Sequence, residues 1–246
     1  MTSDAAINTP RWTGWRITAY FVLVLITFFV AQFLGVAALA VMLALGDPAF
    51  DAREWLDQNQ MSGNVLFAGA LASTAICVPL IVALAGSDRW RFLGIQKTSV
   101  RSLLVWCGVL IAFVAVSDLI TVSLGRPIVP DVMLEGFSAG HTISLLLALL
   151  LLAPLFEELF FRGFLLGALQ AAGAHQWVAA ATTSALWSVL HLQYDLYGIV
   201  SIFAGGLLLA AARFSTGSIL PCLGMHGLMN LIASVETAYR ASTAAG

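Results

Sequence analysis

Charge is what this sequence has least of. Of its 246 residues 10% are charged and 60% are hydrophobic, with a mean hydropathy of +0.94. A soluble domain carries about 25% charged residues. The chain cannot cover a water-facing surface, and a net charge of −2 leaves nothing to hold a nucleic acid. Cysteine is scarce as well. Cys77, Cys107 and Cys222 lie far apart in or near apolar runs. They make neither a disulfide frame nor a Cys-x-x-Cys metal site and read as buried free thiols. No repeat, low-complexity tract or linker divides the chain, and two unrelated halves argue against a transporter. The His-Glu-x-x-His zinc signature is missing too. So is a signal peptide: polar Met1–Arg16 leads into an apolar run, Ile17–Leu45, far longer than a signal h-region, which reads as a retained helix.

What is present is apolar sequence in blocks. The runs Ile17–Leu45, Gly63–Gly86, Ser102–Leu124, Ile143–Leu169, Trp177–Leu192, Tyr197–Phe214 and Ser218–Val235 approach the roughly 20 residues a membrane helix needs. The fold class expected is all-α: a polytopic transmembrane bundle of about seven to eight helices, with residues 1–246 as one membrane domain in a lipid bilayer. The first run is long enough to be tilted or broken, and the fifth and sixth are short enough to need shelter from neighbours. Arg11 and Arg16 precede the first run, and Arg89, Arg91, Lys97 and Arg101 follow the second. The intervening loop carries Asp47, Asp51, Glu54 and Asp57 against Arg53. The positive-inside rule then puts the N-terminus in the cytoplasm, as in a bacterial inner-membrane protein. Gly69 with Ser73, and Gly163 with Gly167, have the spacing of close helix packing. Pro154 removes a backbone bond and should bend the fourth helix.

The chemistry lies in polar residues set inside this apolar background. Leu155 to Arg162 reads Leu-Phe-Glu-Glu-Leu-Phe-Phe-Arg. Intramembrane carboxylates are expensive and mark a functional site by default. Glu158 and Arg162, spaced i,i+4, can neutralise each other. Glu157 lies about 100° further round the helix and needs other partners. His191 ends the fifth run, and His226 and Asn230 share one face of the last helix. At 1.5 Å per residue, Glu157 lies roughly 18 Å before Leu169 and His191 roughly 21 Å past Trp177. His226 and Asn230 lie roughly 12 and 18 Å past Ser218, so all four fit one layer. A carboxylate, two imidazoles and an amide in one buried layer form either a catalytic set or a metal site. Two histidines with a carboxylate, here Glu157, His191 and His226, also make a known zinc ligand set. Asp118 reads first as a structural hydrogen-bonder and second as a contributor near the cavity, His141 and His175 read as solvated loop residues, and Asp195 as a loop carboxylate that needs no catalytic task.

Glu157-Glu158-x-x-x-Arg162, Trp187-x-x-x-His191 and His226-x-x-x-Asn230, in that order, resemble the motifs of the CPBP family. This family contains the CAAX prenyl endopeptidases and the bacteriocin-processing or immunity (Abi) proteins. Phe-Arg-Gly after the glutamates and Ser-Thr-Gly-Ser-Ile-Leu-Pro before the last histidine resemble it too. The resemblance covers residues 143–235, a catalytic core, and departs at Trp187, where the family usually has Phe; a flat aromatic fits a packing role. It implies an intramembrane protease, open to the cytosol, acting on a membrane protein or lipidated peptide. Glu157 and His191 would activate water, His226 and Asn230 would stabilise the oxyanion, and Glu158 and Arg162 would support them. It implies a metal-free glutamate mechanism ahead of a zinc one. The other outcome it implies is a scaffold or bacteriocin-immunity protein that keeps the polar pocket without cleaving anything.

Overall fold

The structure is a computed structural model that describes residues 12–244. Arg11, counted above among the N-terminal positive charges, lies outside the described residues. Every regular element among the described residues is helical. The long ones are α1 (Gly14–Gly46), α3 (Gly63–Leu84), α5 (Val100–Ser123), α7 (Thr142–Ala171), α8 (Gln176–Val189), α9 (Leu196–Thr216) and α10 (Leu220–Ala244). Three short helices, α2 (Ala52–Asn59), α4 (Arg89–Phe92) and α6 (Asp131–Ser138), sit in the loops. Each apolar run of the sequence is therefore a helix, and α1 is unbroken over 33 residues. Five helices, α1, α3, α5, α7 and α9, are long and apolar enough to cross a membrane. The 14 residues of α8 rise only about 21 Å, and α10 carries His226, Asn230 and Glu236 along its length. The outer faces of α1 and α5 leave Phe33 72% and Leu119 70% exposed, a surface that lipid covers without cost.

The bundle has two chemically different ends. At the basic end Trp12 stacks on Phe92 with ring centroids 5.1 Å apart, the Ile219 N–H donates to Gly94 O, and Ser218 Oγ donates to Gln96 O. At the acidic end the Gly63 N–H donates to Gly140 O, Arg126 pairs with Asp195, and Arg240 Nη1 donates to Val129 O. Asp51 caps α2 by accepting from the Arg53 and Glu54 N–H groups.

Helix α7 positions the site, and its rotation is set by aromatics. Phe156, Phe160 and Phe164, spaced i,i+4, share one face that packs on α1. Phe28 stacks on Phe156 at 4.5 Å, Phe21 on Phe160 at 5.8 Å, and Trp12 meets Phe164 edge-on at 5.5 Å. Each such pair adds roughly 0.5–1.5 kcal/mol beyond its buried area. That commitment leaves Glu157, Glu158 and Arg162 for the side facing α8 and α10.

The helix is also locally underwound and widened. Two π-type stretches, Ala148–Leu152 and Glu158–Leu165, flank Pro154 and Glu157. Such wide turns release carbonyls and recur at functional sites. The released groups find side chains: Asn230 Nδ2 donates to Leu149 O at 2.7 Å, and Thr74 Oγ1 donates to Leu152 O at 3.1 Å. Pro154 thus disturbs the helix where expected, and neighbouring helices satisfy the freed backbone. Gly163 lets the chain at Leu93 pass, since a Cβ there would lie 3.0 Å from Leu93 O. Cys77 and Cys222 are buried, and all three cysteines are free thiols.

Candidate active site

The two adjacent glutamates have different surroundings. Glu158 is fully buried and is gripped by two cationic or donor groups. Arg162 Nη1 lies 3.0 Å from its Oε1, and His226 Nδ1 lies 2.8 Å from the same oxygen. Arg162 is itself fully buried, with its guanidinium 4.3 Å above the Trp187 ring and Nη2 3.5 Å from Gly206 O. Gly206 is needed for that fit: a Cβ would meet Arg162 Nη2 at 3.1 Å and Ser184 at 2.8 Å. Desolvation of both groups offsets much of the attraction in a buried ion pair of this kind, so it adds little net stability.

Glu157 is the more accessible carboxylate, with 18% of its side chain exposed. Its Oε2 accepts from the Trp187 indole N–H, and His226 Nε2 stands 4.0 Å from the same oxygen. The flat aromatic expected only to pack therefore also holds a carboxylate, which a phenyl ring cannot do. His226 lies edge-on to Trp187 at 5.4 Å and His191 edge-on at 5.2 Å. His191 Nδ1 is tied to Trp187 O at 2.9 Å. One indole thus sits among Glu157, Arg162, His191 and His226.

Glu158 assigns the tautomer of His226. A carboxylate can only accept, so Nδ1 carries the proton and Nε2 turns toward Glu157. A gap of 4.0 Å is too long for a hydrogen bond, yet one oxygen atom about 2.8 Å from each group can touch both.

Two cavities meet at Trp187, His191, Gln193 and Tyr194. The polar one, about 520 Å³, has His226 and Asn230 in its wall together with Asp118, Arg126, Asp131 and Asp195. The apolar one, about 500 Å³, has Glu157 in its wall among Phe28, Phe29, Phe156, Phe160 and Leu149. Asp118 lines the polar cavity, which is the second of the two readings of it. Asp195 is the N-cap of α9 and accepts from the Gly198 N–H at 2.9 Å. That bond, with Arg126 beside it, holds its carboxyl below the usual aspartate range. His141 and His175 are exposed residues at helix starts, apart from the site.

Glu157, His191, His226 and Asn230 thus gather around the junction of the two cavities. Sequence reasoning did not find Tyr194. Burial and the nearby Glu157 carboxylate push its phenol up, so it remains a proton donor near neutral pH. Its spacing three residues after His191, at a helix end, was the available signal. Among the described residues no three His, Cys, Asp or Glu side chains converge to hold a metal ion. Glu157, His191 and His226 do not form such a group.

Comparison with known proteins agrees with the motifs. Residues 139–232 match the family described as type II CAAX prenyl endopeptidase Rce1-like. The chain is also 34% identical, over 91 residues, to an uncharacterized 24.3 kDa protein of Escherichia coli. That match covers 36% of this chain and spans 42% of the relative's length. No solved structure matches. The matched stretch begins just before α7 and contains every residue of the site.

Proposed function

We propose that this chain, whose residues 139–232 match the type II CAAX prenyl endopeptidase Rce1-like family, is an intramembrane endopeptidase. Its substrate is a membrane-associated or lipidated polypeptide. One observation carries the reading. Glu157, the partly accessible carboxylate, is fixed by Trp187 at the meeting of a polar and an apolar cavity, with His226 Nε2 4.0 Å away. The apolar cavity suits a lipid chain or apolar side chains, and the polar one admits water.

Peptide hydrolysis needs a base for water and donors for the developing oxyanion. Glu157, assisted by His191, takes a proton as the water oxygen attacks the scissile carbonyl. Breaking the C–N bond returns that proton to the leaving amine. His226 donates to the oxyanion when its Nε2 is protonated, and Glu158 stabilises that imidazolium as a carboxylate does in a catalytic triad. Asn230 commits one amide hydrogen to Leu149 O, and an NH₂ group has a second to offer.

The test is cleavage of a lipidated peptide by the purified protein in nanodiscs. Glu157→Gln should lower turnover by roughly 10²–10⁴ while expression and thermal stability persist. Wild-type turnover by that variant would remove Glu157 from the chemistry. Binding without any Glu157-dependent cleavage would favour the scaffold or immunity reading. Metal analysis of the same sample should show activity that survives chelation. Stoichiometric zinc, lost together with activity in His226→Ala, would overturn the metal-free mechanism.

A further inference from the structure

We propose that the cavity opens on the non-cytoplasmic side of the membrane, so that its substrates are membrane-anchored or lipidated polypeptides presented from that side. The substrate class rests on the endopeptidase reading; the orientation does not.

Both cavities reach the acidic end of the bundle. The rim of the polar one is formed by Arg126, Pro127, Pro130, Asp131 and Asp195. The apolar one reaches Met61, Glu135 and Phe137. All of these belong to the acidic end, in the loops after α2 and α5, in α6 and in the turn before α9. The opposite direction is blocked. Between the Glu158–His226 pair and the basic end lie Leu93, Phe164, Leu165, Ile219, Cys222 and Met225, each no more than 2% exposed. Gly163 and Gly167 draw Leu93 and Phe92 against α7 and complete the plug.

Charge then orients the bundle. The basic end holds Arg16, Arg89, Arg91, Lys97, Arg101 and Arg213 against Asp88. Among the described residues the acidic end holds only Arg53, Arg126 and Arg240 as Lys or Arg, beside many carboxylates, including Asp47, Asp51, Glu54, Asp57 and Glu135. The connecting loops are short, the regime in which Lys and Arg set orientation. The basic end is the cytoplasmic one. The N-terminal helix starts there, since Trp12 stacks on Phe92. The sequence-based expectations of a cytoplasmic N-terminus and a cytosolic entrance are therefore incompatible: the site opens at the end opposite the N-terminus. With the basic end cytoplasmic, the N-terminus stays inside and the entrance lies outside.

Cysteine labelling decides this without any assay of cleavage. Ile128→Cys places a thiol at the rim of the polar cavity, and Gln96→Cys places one in the exposed basic-end loop. The unmodified chain reports background from its own cysteines. A membrane-impermeant maleimide should label Ile128→Cys in intact cells and Gln96→Cys only in inside-out vesicles. The reverse pattern would overturn the proposal. A peptide substrate added to each vesicle orientation provides the second arm. It should be cleaved only where the Ile128→Cys thiol is reached. Correct labelling with no Glu157-dependent cleavage from either side would sink the protease reading and leave the orientation standing.

Discussion

The Trp187 indole N–H donates to Oε2 of Glu157, joining α8 to α7 at the junction of the two cavities. The same indole lies under the Arg162 guanidinium. Trp187→Phe keeps the aromatic face and removes the donor. Hydrogen bonds to charged groups contribute roughly 1.5–3 kcal/mol. The variant should fold with normal yield and lose roughly 10–10²-fold in kcat, with KM little changed. A wild-type kcat would show that the indole serves packing alone.

Removing one partner of a buried ion pair leaves an uncompensated charge. Arg162→Ala should destabilise the protein by roughly 3–5 kcal/mol, and Glu158→Gln should act in the same direction. Because the pair is fully buried, replacing both members, as Glu158→Gln with Arg162→Met, should recover part of the lost thermal stability. Detergent-solubilised melting curves check this. Additive losses in the double variant would mean that the two groups do not act as a pair.

Asn230 combines a backbone contact with a place in the cavity wall. Asn230→Ala strands Leu149 O, which should cost roughly 1–3 kcal/mol of stability. If Asn230 also meets the oxyanion, kcat should fall by roughly 10²–10³ below the activity of the folded fraction. Turnover that merely tracks the folded fraction would reduce Asn230 to a structural tie.

Asp195 gives a pH signature outside the membrane. The Gly198 N–H and Arg126 hold its carboxyl below the ordinary range. A depressed folded-state value means that its contribution is complete above the unfolded value, about 3.9, and disappears as pH falls through the folded one. The stability difference between wild type and Asp195→Asn should be constant at neutral pH and shrink only in acid. A difference already shrinking above pH 5 would contradict the assignment. The ion pair with Arg126 is exposed, so salt should weaken its share.

Much of this protein was determined by sequence alone, because the deciding physics is local or compositional. Apolar runs near membrane length must become helices, since backbone groups in lipid have no other partners. The i,i+4 spacing of Glu158 and Arg162 brings them to one face of any helix. The order of the three motifs singled out the residues of the candidate site. Tertiary structure decided the rest, because it depends on how separate helices are rotated and staggered against one another. The Phe156–Phe160–Phe164 stripe on α1 turned α7 so that Glu158 met His226, 68 positions away, and Glu157 met Trp187, 30 positions away. The wide turns around Pro154 left Leu149 O for Asn230, which no helical wheel drawn at constant pitch anticipates. Packing also decided which end is plugged: Leu93 and Ile219 come from loops remote in sequence, and only their burial against α7 closes the basic end.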